Sequence, residues 1–122
     1  MTRIDANVIL RYLLDDHDEL SAKAAEIIDQ HHVFASTEVL CEVVYVLCGV
    51  YKVNRQEVTS RLSEFIRLEH MSVEDIAVIQ CALTAFAEKN MDFVDSILFA
   101  YHTVRGDEIG TFDKRLAKLT AV

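Results

Sequence analysis

Four acids interrupt apolar stretches of this 122-residue chain: Asp5 in "RIDANVILRYLL", Glu42 in "ASTEVLCEVVYVL", Asp95 in "FVDSILFAYH" and Asp113 in "GTFDKRLAKL". An unpaired carboxylate is costly to bury, and drawing several together adds mutual repulsion. A cation among them answers both problems. Hard divalent ions take oxygen ligands, and magnesium binds through a few carboxylates while keeping several waters. Such an ion activates water and stabilises charge on a phosphoryl group. These residue types therefore point to metal-assisted hydrolysis of a phosphate ester.

Each acid, taken alone, also has a purely structural reading. Asp5 can end a strand and cap a helix starting at Ala6. Glu42 can pair with a surface lysine, although Val39, Leu40, Val43 and Val46 around it argue against full exposure. Asp92 reads as an N-cap, which puts Asp95 at the third helical position, where the helix dipole favours an acid. Asp113 can cap a terminal turn in "KRLAKL". It is the four acids as an ordered set that point to chemistry. Other chemistries find no support. The five histidines lack the spacing of a zinc site, and His31 and His32 read as surface residues. No serine, cysteine and histidine are arranged as a triad, and no glycine loop could cradle a phosphate. Cys41, Cys48 and Cys81 read as small core residues of a reducing compartment.

Positioning these acids requires alternating strands and helices. "TRID" is a short first strand that Asp5 closes, followed by "ANVILRYLL" as helix. The acidic knot Asp15 to Glu19 reads as a solvated loop, with Ser21 capping "AKAAEIIDQ". "HVFA" (32–35) is a second strand. Ser36 caps a long helix carrying Val39, Val43, Val46 and Leu47 at helical spacing. Asn54 with Glu57 forms a capping box before "RQEVTSRLSEFIRL". "EHMSV" is a weak third strand. "EDIAVIQCALTAFAEK" is an amphipathic helix with Ile76, Ile79, Leu83 and Phe86 on its apolar stripe. A helix over 93–104 holds Asp95 and stops at Gly106. "EIGTF" is a fourth strand, directly followed by Asp113. This order predicts an α/β fold with a parallel sheet, whose ligands collect at the carboxyl ends of the strands.

The chain has one domain's length, no proline and three glycines, which argues against an all-β sandwich. No apolar run reaches membrane-spanning length, and the N-terminus lacks the order of a signal peptide, so a cytoplasmic protein is expected. The net charge of −8 argues against gripping a polyanion by bulk charge. A polyanionic partner then requires locally clustered basic residues or bound cations.

The four acid-bearing segments, in this order and spacing and with "T-x-D" last, resemble the PIN-domain ribonucleases, particularly the VapC-type toxins of toxin–antitoxin pairs. The resemblance implies a single PIN-like domain over 1–122, with a parallel four- to five-stranded sheet flanked by helices on both faces. Only nine residues follow Asp113, so the last edge strand is short or missing. The resemblance also implies that Asp5, Glu42, Asp95 and Asp113 bind Mg²⁺ or Mn²⁺ and cleave RNA. Asp92 matches a frequent further acid and Asn7 a polar position after the first aspartate. Thr111 matches a hydroxyl residue that steadies the first aspartate. Lys114 and Arg115 stand where a further acid is common. With Arg11 and Lys118, they are candidate contacts to the RNA backbone. A homodimer and a small antitoxin partner are implied as well, and the helices over 36–67 carry apolar surface for either.

Two alternatives compete. A haloacid-dehalogenase-like phosphatase would use Asp5 as nucleophile, but that class wants a second aspartate at position 7, which here is asparagine. A non-catalytic PIN-like binding module would have degraded acids, whereas all four are present.

Overall fold

A computed structural model describes residues 1–121. The chain divides into two compact units, Met1–Glu74 and Asp75–Val122. The last residue of the predicted tail, Val122, lies outside the described residues.

The first unit contains β1 (Thr2–Arg3), α1 (Ala6–Leu14), α2 (Asp18–Gln30), β2 (Val33–Ala35), α3 (Thr37–Gly49), α4 (Arg55–Phe65) and β3 (Met71–Val73). Its sheet is parallel, in the order β1-β2-β3, with Arg3 opposite Phe34 and Phe34 opposite Ser72. Pairing continues past β1, where the Ile4 N–H donates to the Phe34 carbonyl at 3.1 Å. Val33 and Ala35 are fully buried, as the middle strand of such a sheet requires. Helices flank the sheet, with α1 packed against α2 and α3, and α3 against α4.

Local hydrogen bonds set most of the helix starts. Ser36 Oγ accepts from the Val39 N–H, and Asn54 Oδ1 accepts from the Glu57 N–H. The second arm of the predicted capping box does not form, because the Glu57 carboxylate accepts from Arg61 Nε instead. The predicted Ser21 cap is also corrected. Helix α2 begins at Asp18, capped by His17 Nδ1 accepting from the Leu20 N–H at 3.1 Å. Asp18 and Glu19 thus leave the acidic knot for the first turn, where the helix dipole favours them. Ser21 is buried within the helix and accepts from the His17 N–H. The cysteines Cys41, Cys48 and Cys81 form no disulfide and are half-buried at the margin of the core rather than inside it.

The second unit contains α5 (Ile76–Lys89), α6 (Phe93–Arg105) and α7 (Lys114–Leu119). Helices α5 and α6 pack as an antiparallel pair joined by a short loop. Phe86 meets Phe93 edge-to-face, with ring centroids 5.6 Å apart. Val78, Ile79, Ala82, Leu83 and Phe86 form the buried stripe of α5, but Ile76 does not join them: at the first helical position it is 49% exposed. Gly106 ends α6 with φ +76°, and its N–H donates to the His102 carbonyl.

The sheet has three strands among the described residues, not the four to five expected. The predicted strand "EIGTF" is irregular chain. Ile109 packs beside the buried cluster of Ala85, Met91 and Leu116, while Phe112 is wholly exposed. With Ile109 as its sole inward apolar side chain, the segment has no apolar face to hold a strand in register.

Candidate active site

Asp5 directly follows the first strand pairing and caps α1, its Oδ1 accepting from the Val8 N–H at 3.0 Å. One carboxylate oxygen serves the helix, and the residue is exposed. Ser36 occupies the equivalent place after β2. Because β1 and β2 are parallel neighbours, α1 and α3 both rise from the carboxyl edge of the sheet. Glu42 lies in the second turn of α3. Its apolar neighbours suggested partial burial, but the structure corrects this: Glu42 is exposed, while Leu40, Val43 and Val44 take the buried stripe.

Asn7 is in the first turn of α1 and lines a groove of about 360 Å³ with Val8, Arg11, Leu20, Lys23, Ala24 and Ile27. Arg11 is not free at this groove, because Nη1 pairs with Asp16 at 3.0 Å.

The second unit gathers the remaining acids. Asp92 occupies the N-cap position of α6 without a side-chain cap bond, which corrects its reading as a side-chain cap. Its main-chain carbonyl instead accepts from both the Ser96 N–H (2.9 Å) and Ser96 Oγ (3.0 Å). Ser96 is fully buried and secures this turn while the Asp92 carboxylate stays outside. Asp95, one turn in, is half-buried. Its carboxyl is held above the ordinary aspartate value, first by burial and then by repulsion from Asp92 and Asp113.

Asp113 caps α7, its Oδ1 accepting from the Leu116 N–H at 2.7 Å. Thr111 Oγ1 accepts from the Asp113 N–H at 3.0 Å, so the threonine fixes the turn that presents Asp113. Arg115 donates to the main-chain carbonyls of Lys89 and Asn90 and clamps the end of α5. Lys114 and Lys118 are exposed and make no ion pair among the described residues.

Carboxylate oxygens are the donors that a hard divalent cation takes, and the repulsion acting on Asp95 is what such a cation relieves. Among the described residues, no three or more His, Cys, Asp or Glu side chains are gathered closely enough to hold a metal ion. The described geometry thus supplies suitable donors without a closed ligand set.

A family model of the PIN domain matches residues 3–122. This chain belongs to the PIN domain family. The match takes in all four acids and runs through both compact units. PIN domains are generally metal-dependent nucleases, so at this coarse level the chain is a nuclease-type hydrolase. Membership removes the ground for the haloacid-dehalogenase alternative. No curated protein and no solved structure significantly matches this PIN domain. No helix of the described residues is long and apolar enough to cross a membrane.

The pattern of "EIGTF" marks Phe112 only as a strand residue. A contrary signal was present: two and four positions before it, on the same face of any strand, stand Gly110 and Glu108, so the ring has no apolar companion there.

Proposed function

We propose that this single PIN domain, spanning 1–122, is a Mg²⁺- or Mn²⁺-dependent endoribonuclease and the toxin of a VapBC-type pair. The observation that carries the reading is Asp95: a half-buried carboxylate whose proton affinity is raised first by that burial and then by two neighbouring acids, in a PIN-family chain. Asp5, Glu42, Asp95 and Asp113 would hold the ion, with Asp92 as an outer acid. The ion, when bound, supplies a Lewis acid and an acidified water for attack on the phosphodiester. The side chains hold and orient. The α5–α6 pair sets Asp95, the Thr111 turn sets Asp113, and the helix cap sets Asp5 with one oxygen to spare. Asn7 and Thr111 support the first and last acids.

Lys114 and Lys118 are the basic residues best placed to meet the RNA backbone, since Arg11 and Arg115 already have partners. An antitoxin and a second copy are the proposed protein partners, in the cytoplasm. Tyr45, Val50 and Tyr51 expose apolar area on and just after α3, which supports a protein contact there.

The test is cleavage of cellular RNA by purified protein with Mg²⁺ or Mn²⁺, comparing wild type with Asp5→Asn and Asp95→Asn. Cleavage lost in both variants supports the reading. No cleavage by the wild type, or full activity in the variants, overturns it, and RNA binding retained by an inactive wild type would mark a binding module.

A further inference from the structure

We propose that Phe112 is a nucleobase-stacking platform, seating an unpaired base of single-stranded RNA beside Asp113. The inference rests on the nuclease reading and adds a substrate-binding residue to it. The Phe112 ring is wholly exposed at 106%. Its backbone is nevertheless pinned on both sides. Thr111 Oγ1 accepts from the Asp113 N–H, Asp113 Oδ1 accepts from the Leu116 N–H, and Leu116 is buried with Ala85 and Met91. A ring on a fixed turn has only two side-chain torsions to lose when a base lies on it.

The surroundings distinguish a base from a protein partner. A protein-docking aromatic sits within an apolar patch. Phe112 is flanked in the chain by Gly110, Thr111, Asp113 and Lys114, none of which offers the ring an apolar companion. Unpaired RNA bases are recognised by stacking on aromatic rings, with cations tracking the backbone. Lys114 and Lys118, four residues apart on one face of α7, supply those cations. A base on Phe112 brings its own phosphates next to Asp113, the adjoining residue.

The chain contains no tryptophan, so Phe112→Trp creates a single indole fluorophore at the proposed contact. The titration uses this substitution in Asp95→Asn protein with Mg²⁺, so that the RNA stays intact. A single-stranded oligoribonucleotide should quench the indole emission saturably, and an abasic oligomer of equal length should quench little. In fluorescence anisotropy, Phe112→Ala should bind the oligoribonucleotide about ten-fold more weakly, with Phe112→Tyr close to wild type. All Phe112 variants should melt with the wild type, because the ring packs against nothing.

Equal quenching by the abasic oligomer, or unchanged affinity in Phe112→Ala, overturns the stacking site. So does a Phe112→Ala defect confined to self-association in sedimentation, which would assign the ring to a protein contact. If wild type cleaves RNA and Phe112→Ala binds normally, only this inference fails. If wild type cleaves nothing while bases still quench the indole of the Phe112→Trp protein, the stacking site stands and the nuclease reading fails.

Discussion

Arg105 forks onto Asp75, with Nε donating to Oδ2 at 2.9 Å and Nη2 to Oδ1 at 2.8 Å. The same Oδ1 accepts from the Val78 N–H at 3.2 Å, so one carboxylate both caps α5 and ties down the end of α6. The fork lies at the open end of the α5–α6 pair, away from the loop that carries Asp92. The pair is therefore fastened at both ends, by the fork at one and by Phe86 against Phe93 at the other.

Arg105 holds the Asp75 carboxyl below its ordinary value, chiefly through the side-chain hydrogen bonds. A lowered folded-state value stabilises above the unfolded value and is lost as pH falls through the folded one. Arg105→Gln should lower the melting temperature by a few degrees at pH 7. Wild type and variant should converge as the solution is acidified through the Asp75 titration. Thermal melts across an acid pH series check this, and a constant gap at every pH would contradict it.

Asp95 has the opposite sign. Its carboxyl is raised, so the folded state holds the proton more tightly than the unfolded chain. The share of stability that Asp95 contributes to the wild type should be lost as pH rises from the ordinary aspartate value through the raised one. Asp95→Asn should lack that loss and melt no lower than wild type at pH 7 without metal. Its RNA cleavage should fall by about a hundred-fold or more, as for removal of a group central to transition-state stabilisation. A variant both unstable and inactive would mean that Asp95 serves the fold.

Asp113 and Asp5 each combine a helix cap with a candidate metal ligand. Asparagine caps about as well as aspartate, whereas alanine costs about 1 kcal/mol. Asp113→Asn should keep wild-type stability and lose cleavage. Asp113→Ala should lose both, as denaturant unfolding would show. Equal stability of the two variants would remove the cap from α7.

Mg²⁺ should raise the melting temperature of wild type by binding the folded state alone. At a hundred times its dissociation constant, the gain is about 2.7 kcal/mol. EDTA should reverse it, and Asp95→Asn should largely abolish it. Melts with and without metal decide the point, and identical gains in both proteins would place the ion elsewhere.

The capping signals were legible because each is settled within four residues. Asp5 with Val8, Ser36 with Val39, and Asn54 with Glu57 need only a short polar side chain before a helix. The same locality made the acidic knot misleading. Ser21 and His17 both offer an acceptor there, and His17 wins because a start at Asp18 places two acids in the first turn and buries Ser21 inside the helix.

Side-chain periodicity and hydrogen bonds between near neighbours made helices α1 to α6, three of the four strands indicated and the order of the acids legible in the sequence. Features controlled by distant partners emerged only once the chain was folded. "EIGTF" stays irregular because a strand needs an apolar face and a neighbour to pair with. Glu42 turns outward because Leu40, Val43 and Val44 fill the buried side of α3. Arg105 finds Asp75 thirty residues away, and Arg115 finds the end of α5. Asp95 acquires its raised proton affinity only from burial and from the carboxylates of Asp92 and Asp113, the latter remote in the chain. Desolvation and Coulomb repulsion act through space, so no local pattern of residues records them.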